Sequence, residues 1–345
     1  MIRMKRINWW PLIFLALALA FGAILIFGRG GKTFEIGGNL SGKEKVSETP
    51  SVDLSPFSGL PCANASRRPV AVMLSGDAIT RPLSGLAEAD LVVNMPVITG
   101  SITRMMAVYV CESPKEIGSV RSARDDFLPL ARGMDAIFAH WGGSHFALEQ
   151  LNKGVMDNLD ALKDSGSIFY RKSGIESPHN GFTSFIRLWE ASQKLDYRLT
   201  GEEAGYPHLA GELTPVATTT KTLTLGFSGS FQVKYEYNPV DNSYRRWRGG
   251  TKEIDKNTGQ QVAAKNVLVM KTISQQIEGQ YNDVQVTGQG EAIVYRNGEE
   301  VFGTWKKTSA TGKLYFYDRA GKEIKLVPGQ VWLEIVQTNQ SVTYL

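Results

Sequence analysis

From residue 56 to residue 205, short apolar runs alternate with segments of helical period. "PVAVML" (69–74), "DLVVNMPV" (90–97), "ITRMMAVYV" (102–110) and "MDAIFAH" (134–140) predict buried strands. "SARDDFLPLARG" (122–133) and "TSFIRLWEASQKL" (183–195) predict helices. In the second, Phe185, Ile186, Leu188, Trp189 and Leu195 fall near one helical face. Strands interleaved with helices indicate an α/β layer. From residue 212 the pattern changes to strands, including "SFQVKYEYNP", "KNVLVMKTI" and "QVWLEIVQ". Asn297-Gly298 and Ala320-Gly321 separate strand pairs as hairpin turns. The expected fold is therefore an α/β N-terminal domain (56–205) followed by a mainly β C-terminal domain (212–345).

The residues before 56 have another character. "WWPLIFLALALAFGAILIFG" (9–28) is 20 uncharged residues long, enough to span a bilayer as a single transmembrane helix. A cleaved signal would have a shorter apolar region with small residues before the cut. Ala18-Leu19-Ala20 offers such a site, but the apolar run continues beyond it. The expectation is an uncleaved anchor after a cytoplasmic stub (1–8), then a flexible linker (29–55) rich in Gly, Ser, Lys and Glu. Three basic residues precede the span and two follow it, so the bias puts the N-terminus in the cytoplasm and the bulk of the chain outside.

Charge changes the picture little. The net charge is +4, but Arg3, Lys5, Arg6, Arg29 and Lys32 precede the first acid, Glu35. Removing those five from 38 Lys and Arg leaves 33 against 34 acids, so the chain beyond the anchor is near neutral. Nothing here points to nucleic acid. Cys62 and Cys111 fall in the external part, where a disulfide and two free thiols are both open readings.

Three polar segments carry the candidate chemistry. In "GSVRSARDDF" (118–127), Ser122 looks like a helix cap, with Asp125 three residues later. Arg121 and Arg124 oppose the helix dipole there. Either the adjacent aspartates neutralise them or they face an anionic ligand, which Arg suits. In "HWGGSH" (140–145), His140 ends a strand, Gly142 and Gly143 allow a tight turn, and Ser144 can cap the next helix. That turn is a ligand loop or only a turn. In "ESPHNGF" (176–182), His179 and Asn180 lie in a loop that reads equally as a site or as a turn. Arg104 in "ITRMM" needs a partner if buried, and Glu88 or Asp90 could supply one.

Specific reactions find weak support. Ser144 with His140 or His179 lacks the GxSxG elbow of a nucleophilic triad. His140, His145 and His179 match no familiar zinc spacing, so no metal is expected. Acid–base chemistry by His140, Asp125, Asp126 or Asp135 on a glycan remains open. No phosphate-binding or dinucleotide glycine motif occurs in a credible context, so no cofactor is expected.

Taken together, "RPLSGLAEADLV" (81–92), "SITRMMAVY" (101–109), "IGSVRSARD" (117–125), "HWGGS" (140–144), "PHNGF" (178–182) and "YNPVDNSYRRWRGG" (237–250) resemble the YerB-like bacterial lipoproteins. The resemblance spans about residues 55–337. It implies two extracytoplasmic domains anchored to a bacterial membrane, typically Gram-positive, and supplies no reaction. Three departures stand out. The lipid-bearing Cys is missing, Asn94 stands where an acid is expected, and so does Ile98. The resemblance selects Arg104, Arg121, Arg124, His140, Ser144, His179 and Asn180 as ligand-binding candidates, beside Gly142 and Gly143. Tyr244, Arg246 and Trp247 could form an exposed sugar- or partner-binding strand, although a core or edge role fits such a strand better. The leading expectation is a cell-envelope module that binds an acidic ligand, peptidoglycan or another wall polymer. A glycan hydrolase or lyase is the alternative, and a scaffold for envelope proteins is a third reading.

Overall fold

In a computed structural model of the chain, the described residues are 53–98, 102–202, 205–211, 213–279 and 281–345. The expected stub, anchor and most of the linker lie outside them. No helix among the described residues is long and apolar enough to cross a membrane.

The apolar runs form the strands expected of them. In the N-terminal part these are β1 (Val70–Ser75), β2 (Leu91–Pro96), β3 (Thr103–Tyr109) and β4 (Ile137–His140), to which the structure adds β5 (Asn158–Asp160), a strand that no apolar run marked. β1 to β4 are buried along their whole length, which explains why their sequences do not alternate. The C-terminal part gives β6 (Lys221–Leu225), β7 (Val233–Asn238), β8 (Ser243–Arg248), β9 (Asn266–Thr272) and β10 (Gly288–Arg296). It ends with β11 (Glu299–Lys307), β12 (Tyr315–Asp318), β13 (Val331–Gln337) and β14 (Val342–Tyr344). Asn297 and Gly298 turn β10 into β11 with φ of 52° and 77°, the left-handed pair that a tight hairpin requires.

The helices depart more from expectation. The segment 122–133 yields only α1 (Phe127–Arg132), and Ser122 caps nothing. Extended-chain contacts hold the residues before it: Arg121 N–H donates to the Met73 carbonyl, and Ala123 N–H to that of Gly142. α2 is His145–Asn152 and α3 is Phe185–Lys194, each capped by the preceding serine. On α3, Phe185 and Leu188 are buried, whereas Ile186 is exposed, as is Leu195 just beyond the helix.

The sequence divides at 205–212, but the main sheet does not. Among the described residues ten strands form one sheet in the order β12-β11-β10-β9-β13-β2-β3-β1-β4-β5. The joint is β2 against β13, a parallel pair that sets Asn94 opposite Glu334. One face of this sheet packs on α1 and α2 through Phe127, Leu128, Ala147 and Leu151. The other packs on α3 and on a second sheet that runs β8-β7-β6-β14.

Charged side chains sit between the two sheets. Arg246, Arg248 and Glu334 are fully buried, and Glu253 nearly so. Arg246 Nη1 donates to Glu253 (2.7 Å), its Nη2 to Glu334 (3.2 Å), and its Nε to the Tyr235 hydroxyl (3.0 Å). Arg248 Nη2 donates to the other Glu253 oxygen at 2.8 Å. Glu334 also accepts from the Tyr235 hydroxyl (2.6 Å) and from the Asn94 amide (2.8 Å). The Arg246 guanidinium lies 4.1 Å from the centre of the Trp332 ring. Tyr244 is likewise core, and Trp247, half-buried, donates to Glu236 at 2.8 Å. The strand of Tyr244, Arg246 and Trp247 is therefore chiefly interior and offers no exposed aromatic–Arg stripe. Burial opposes ionisation of Glu253, but the two arginines outweigh it and hold the carboxyl below its ordinary range.

Removing one member of such a network leaves the others uncompensated. Arg246→Ala is expected to lower stability in urea by about 3–5 kcal/mol. A loss within experimental error of zero would mean that the network does not hold the sheets together.

Candidate functional site

β1, β2 and β4 run parallel to one another, and their carboxyl ends form a common rim. Such rims are where open α/β sheets place ligands. At this rim Ser75, the last residue of β1, pairs with Arg104 near the start of β3. The loop 119–124 is tied in by Ser75 N–H donating to the Ser119 carbonyl (3.0 Å). The loop around His179 is tied in by Val120 N–H donating to the Gly181 carbonyl (2.8 Å).

The three candidate arginines converge here. Arg104 is buried, and its Nη1 donates to the Ser122 carbonyl at 3.0 Å. Burial, and then the charges of Arg124 and Arg121, lower its pKa well below the ordinary value, with Asp77 opposing them. Neither Glu88 nor Asp90 is its partner. Glu88 accepts from Asn257 (2.5 Å), and Asp90 accepts from Ser55, Ser58 and the Val110 N–H. Arg121 Nη2 lies 3.4 Å from Asp77 Oδ2, and its Nη1 donates to the Pro178 carbonyl at 3.2 Å. Arg124 is half-buried, with its guanidinium 5.4 Å from the centre of the Tyr281 ring. Its pKa is lowered first by burial, with the charge of Arg121 acting in the same direction. His179 Nδ1 is 3.9 Å from Asp77 Oδ2.

The other candidates have structural work. His140 is fully buried at the end of β4. Its Nδ1 donates to the Gly142 carbonyl (2.8 Å), and its Nε2 lies 3.2 Å from the Asn158 side-chain oxygen. Gly142 has φ of +60°, and its N–H donates to Asp160 at 2.8 Å. Gly143 packs against Ala123, where a Cβ would sit 3.1 Å from the alanine methyl. Ser144 is buried and accepts from the Ala147 N–H (3.1 Å) as the cap of α2, while its hydroxyl meets Asp125 at 3.3 Å. "HWGGS" is thus a glycine turn with a helix cap that wedges the arginine loop in place. Asn180 accepts from Arg171 at 2.6 Å, and Arg171 lies over the Trp141 ring at the rim.

Sequence reasoning missed Asp77 and Ser119. Asp77 sits in "SGDAIT" and reads as an ordinary turn aspartate, and nothing in its local spacing ties it to Arg121 or His179. Ser119 is buried, and its hydroxyl has no partner among the described residues.

An acidic cleft adjoins the cluster. It encloses about 560 Å³ and is lined by Asp125, Asp126, Gln150, Gln275 and Asp283. Burial, and then the charges of Asp125 and Asp283, push the Asp126 carboxyl up to about 8. Cys62 and Cys111, at the opposite end of β3, form a disulfide with Cα atoms 5.4 Å apart. Among the described residues, no group of three or more His, Cys, Asp or Glu side chains is placed to hold a metal ion.

Residues 57–198 match the family described as "Protein of unknown function (DUF3048) N-terminal domain", and residues 223–333 match the C-terminal domain of the same family. "Putative lipoprotein YerB" of Bacillus subtilis (strain 168) is 30% identical over 300 residues, covering 85% of this chain and 89% of that protein. The crystal structure of the YerB protein from Bacillus subtilis matches with a TM-score of 0.75 at 28% identity, over 84% of this chain and 99% of that one. The chain belongs to this YerB-like family.

Asp126 gives a pH signature. The unfolded residue ionises near 4, whereas the folded one keeps its proton to about 8. Between those values the folded state holds the extra proton, so stability falls as pH rises through the window. Asp126→Asn is expected to flatten that slope and to raise stability at neutral pH by more than about 1 kcal/mol. Urea unfolding at about pH 5 and about pH 8 measures it, and an unchanged slope in the variant would contradict the assignment.

Proposed function

We propose that this member of the YerB-like family is a membrane-anchored extracytoplasmic protein that binds an acidic ligand of the cell envelope. The ligand on this reading is a wall polymer, peptidoglycan or another. One observation carries the reading. Arg104, Arg121 and Arg124 share one rim with fewer carboxylates than they need: Asp77 lies beside Arg121, and Asp125, which acts on Arg124, also accepts from the Ser144 hydroxyl. A cationic surplus that is buried at Arg104 and half-buried at Arg121 and Arg124 is costly unless an anion completes it.

The location rests on three supports. The relative is named a lipoprotein. The apolar run at 9–28 is long enough to anchor this chain in its own way. The Cys62–Cys111 disulfide suits an oxidising compartment outside the cytoplasm.

A second reading, an envelope glycan hydrolase or lyase, draws on Asp126. A carboxyl that stays protonated at neutral pH, beside Asp125 and Asp283 in an open cleft, is suited to general-acid work.

Both readings are tested with the full-length chain and purified cell-wall sacculi. Arg121→Ala and Arg124→Ala are each expected to weaken sacculus binding at least tenfold, about 1.4 kcal/mol, with no soluble fragments released by any form. Fragments released by the wild type and lost in Asp126→Asn would favour the enzyme. Binding unchanged in both arginine variants would remove the ligand role of the cluster.

A further inference from the structure

We infer that the arginine cluster is a phosphoryl site, built for the phosphate group of an envelope polymer or phosphorylated small molecule rather than for a carboxylate. The inference rests on the acidic-ligand reading above and names the ligand's chemistry.

Several buried polar groups at this rim have no partner. Among the described residues, the buried polar atoms at this rim that lack a hydrogen-bond partner include Arg121 Nε, Arg124 Nε, Ser119 Oγ and His179 Nδ1, beside Thr103 Oγ1 and Trp141 Nε1. Native proteins rarely leave such atoms unsatisfied, because each costs about 1–3 kcal/mol. Ser119 is 1% exposed, so bulk water does not serve its hydroxyl. Ser119 and Arg121 are two residues apart in an extended segment, so their side chains leave it on the same side. That segment is tied to β1 on both sides of Val120, by the Ser119 carbonyl and by the Arg121 N–H.

The number and kind of these donors separate the two anion classes. A carboxylate is planar and offers two oxygens with about four lone-pair sites. One is already present: Asp77 stands 3.4 Å from Arg121 and 3.9 Å from His179, and it leaves these atoms without a hydrogen-bond partner. A tetrahedral phosphoryl group spreads two or three terminal oxygens over three dimensions. It can accept from guanidinium groups and a hydroxyl that approach from different directions. Charge agrees. Three guanidiniums face the carboxylates of Asp77 and Asp125, which leaves a surplus for an anionic group. The neighbouring Asp126, held protonated to about 8, adds no negative charge at neutral pH. Asp77 is then the resident counter-ion that an arriving phosphoryl group displaces from Arg121, and it sets how strongly the site discriminates.

The test is calorimetric titration of the full-length chain in mild detergent with four probes: inorganic phosphate, glycerophosphoglycerol, acetate and glutarate. The expected result is saturable binding of one or both phosphoryl probes, at least tenfold tighter than either carboxylate. Tighter binding of the diester points to a phosphodiester polymer, and tighter binding of phosphate points to a phosphomonoester. Either supports the inference. Arg121→Gln should weaken phosphoryl binding at least tenfold. Ser119→Ala, a milder change, should weaken it several-fold and leave acetate unaffected, and Asp77→Asn should tighten it. Carboxylates bound as well as phosphoryl probes would overturn the inference and leave the acidic-ligand reading standing. No binding of any probe would overturn both.

Discussion

The fold turns on a charge network that no water reaches. Arg246, Arg248, Glu253 and Glu334 are at most 2% exposed, and they balance one another between two sheets. Their charges cancel only if β13, β8 and the segment after β8 that carries Glu253 keep their mutual placement, because the charges sit on these three segments. Buried ion networks add little net stability, yet breaking one is expensive. The network therefore acts mainly as a specificity device, in that wrong pairings leave charge stranded. Asn94 fits the same logic. It lies opposite Glu334 and donates to it, where a second carboxylate would repel.

The network reaches the candidate site through β3. Arg248 Nη1 touches the Met105 sulfur (3.7 Å) on the face toward the second sheet. The neighbouring residue, Arg104, points to the other face, where the rim lies. Strand alternation thus puts the balanced charges on one side of β3 and the unbalanced ones on the other. The glycine turn after β4, the cap on α2 and the buried His140 brace the loop that carries Arg121 and Arg124.

Much of this was legible in the sequence, for identifiable reasons. The strands of the N-terminal half announce themselves as unbroken apolar runs because both faces of their sheet are covered. The arginines stand out because cations before a helix oppose its dipole. The shared sheet was not legible. Its joint pairs residues 240 positions apart, and no local pattern reports a parallel contact between β2 and β13. Helical period extended α1 backward over residues that β-like contacts keep extended. For Tyr244 and Arg246 the core or edge role fitted better, but a surface stripe stayed open because alternation alone does not say which face a second sheet covers. Asp77 and Ser119 are common turn residues whose meaning comes only from their neighbours in space.

Two particular arginines, Arg121 and Arg124, await an anion, while Arg246 and Arg248 are already charge-matched by the buried carboxylates of Glu253 and Glu334. Nitrogen-15 NMR of the arginine Nε–H groups during a phosphate titration of the full-length chain tests it most directly. The account predicts saturable shifts at Arg121 and Arg124, with Arg246 and Arg248 silent. Silence at Arg121 and Arg124, or shifts confined to exposed arginines, would contradict it.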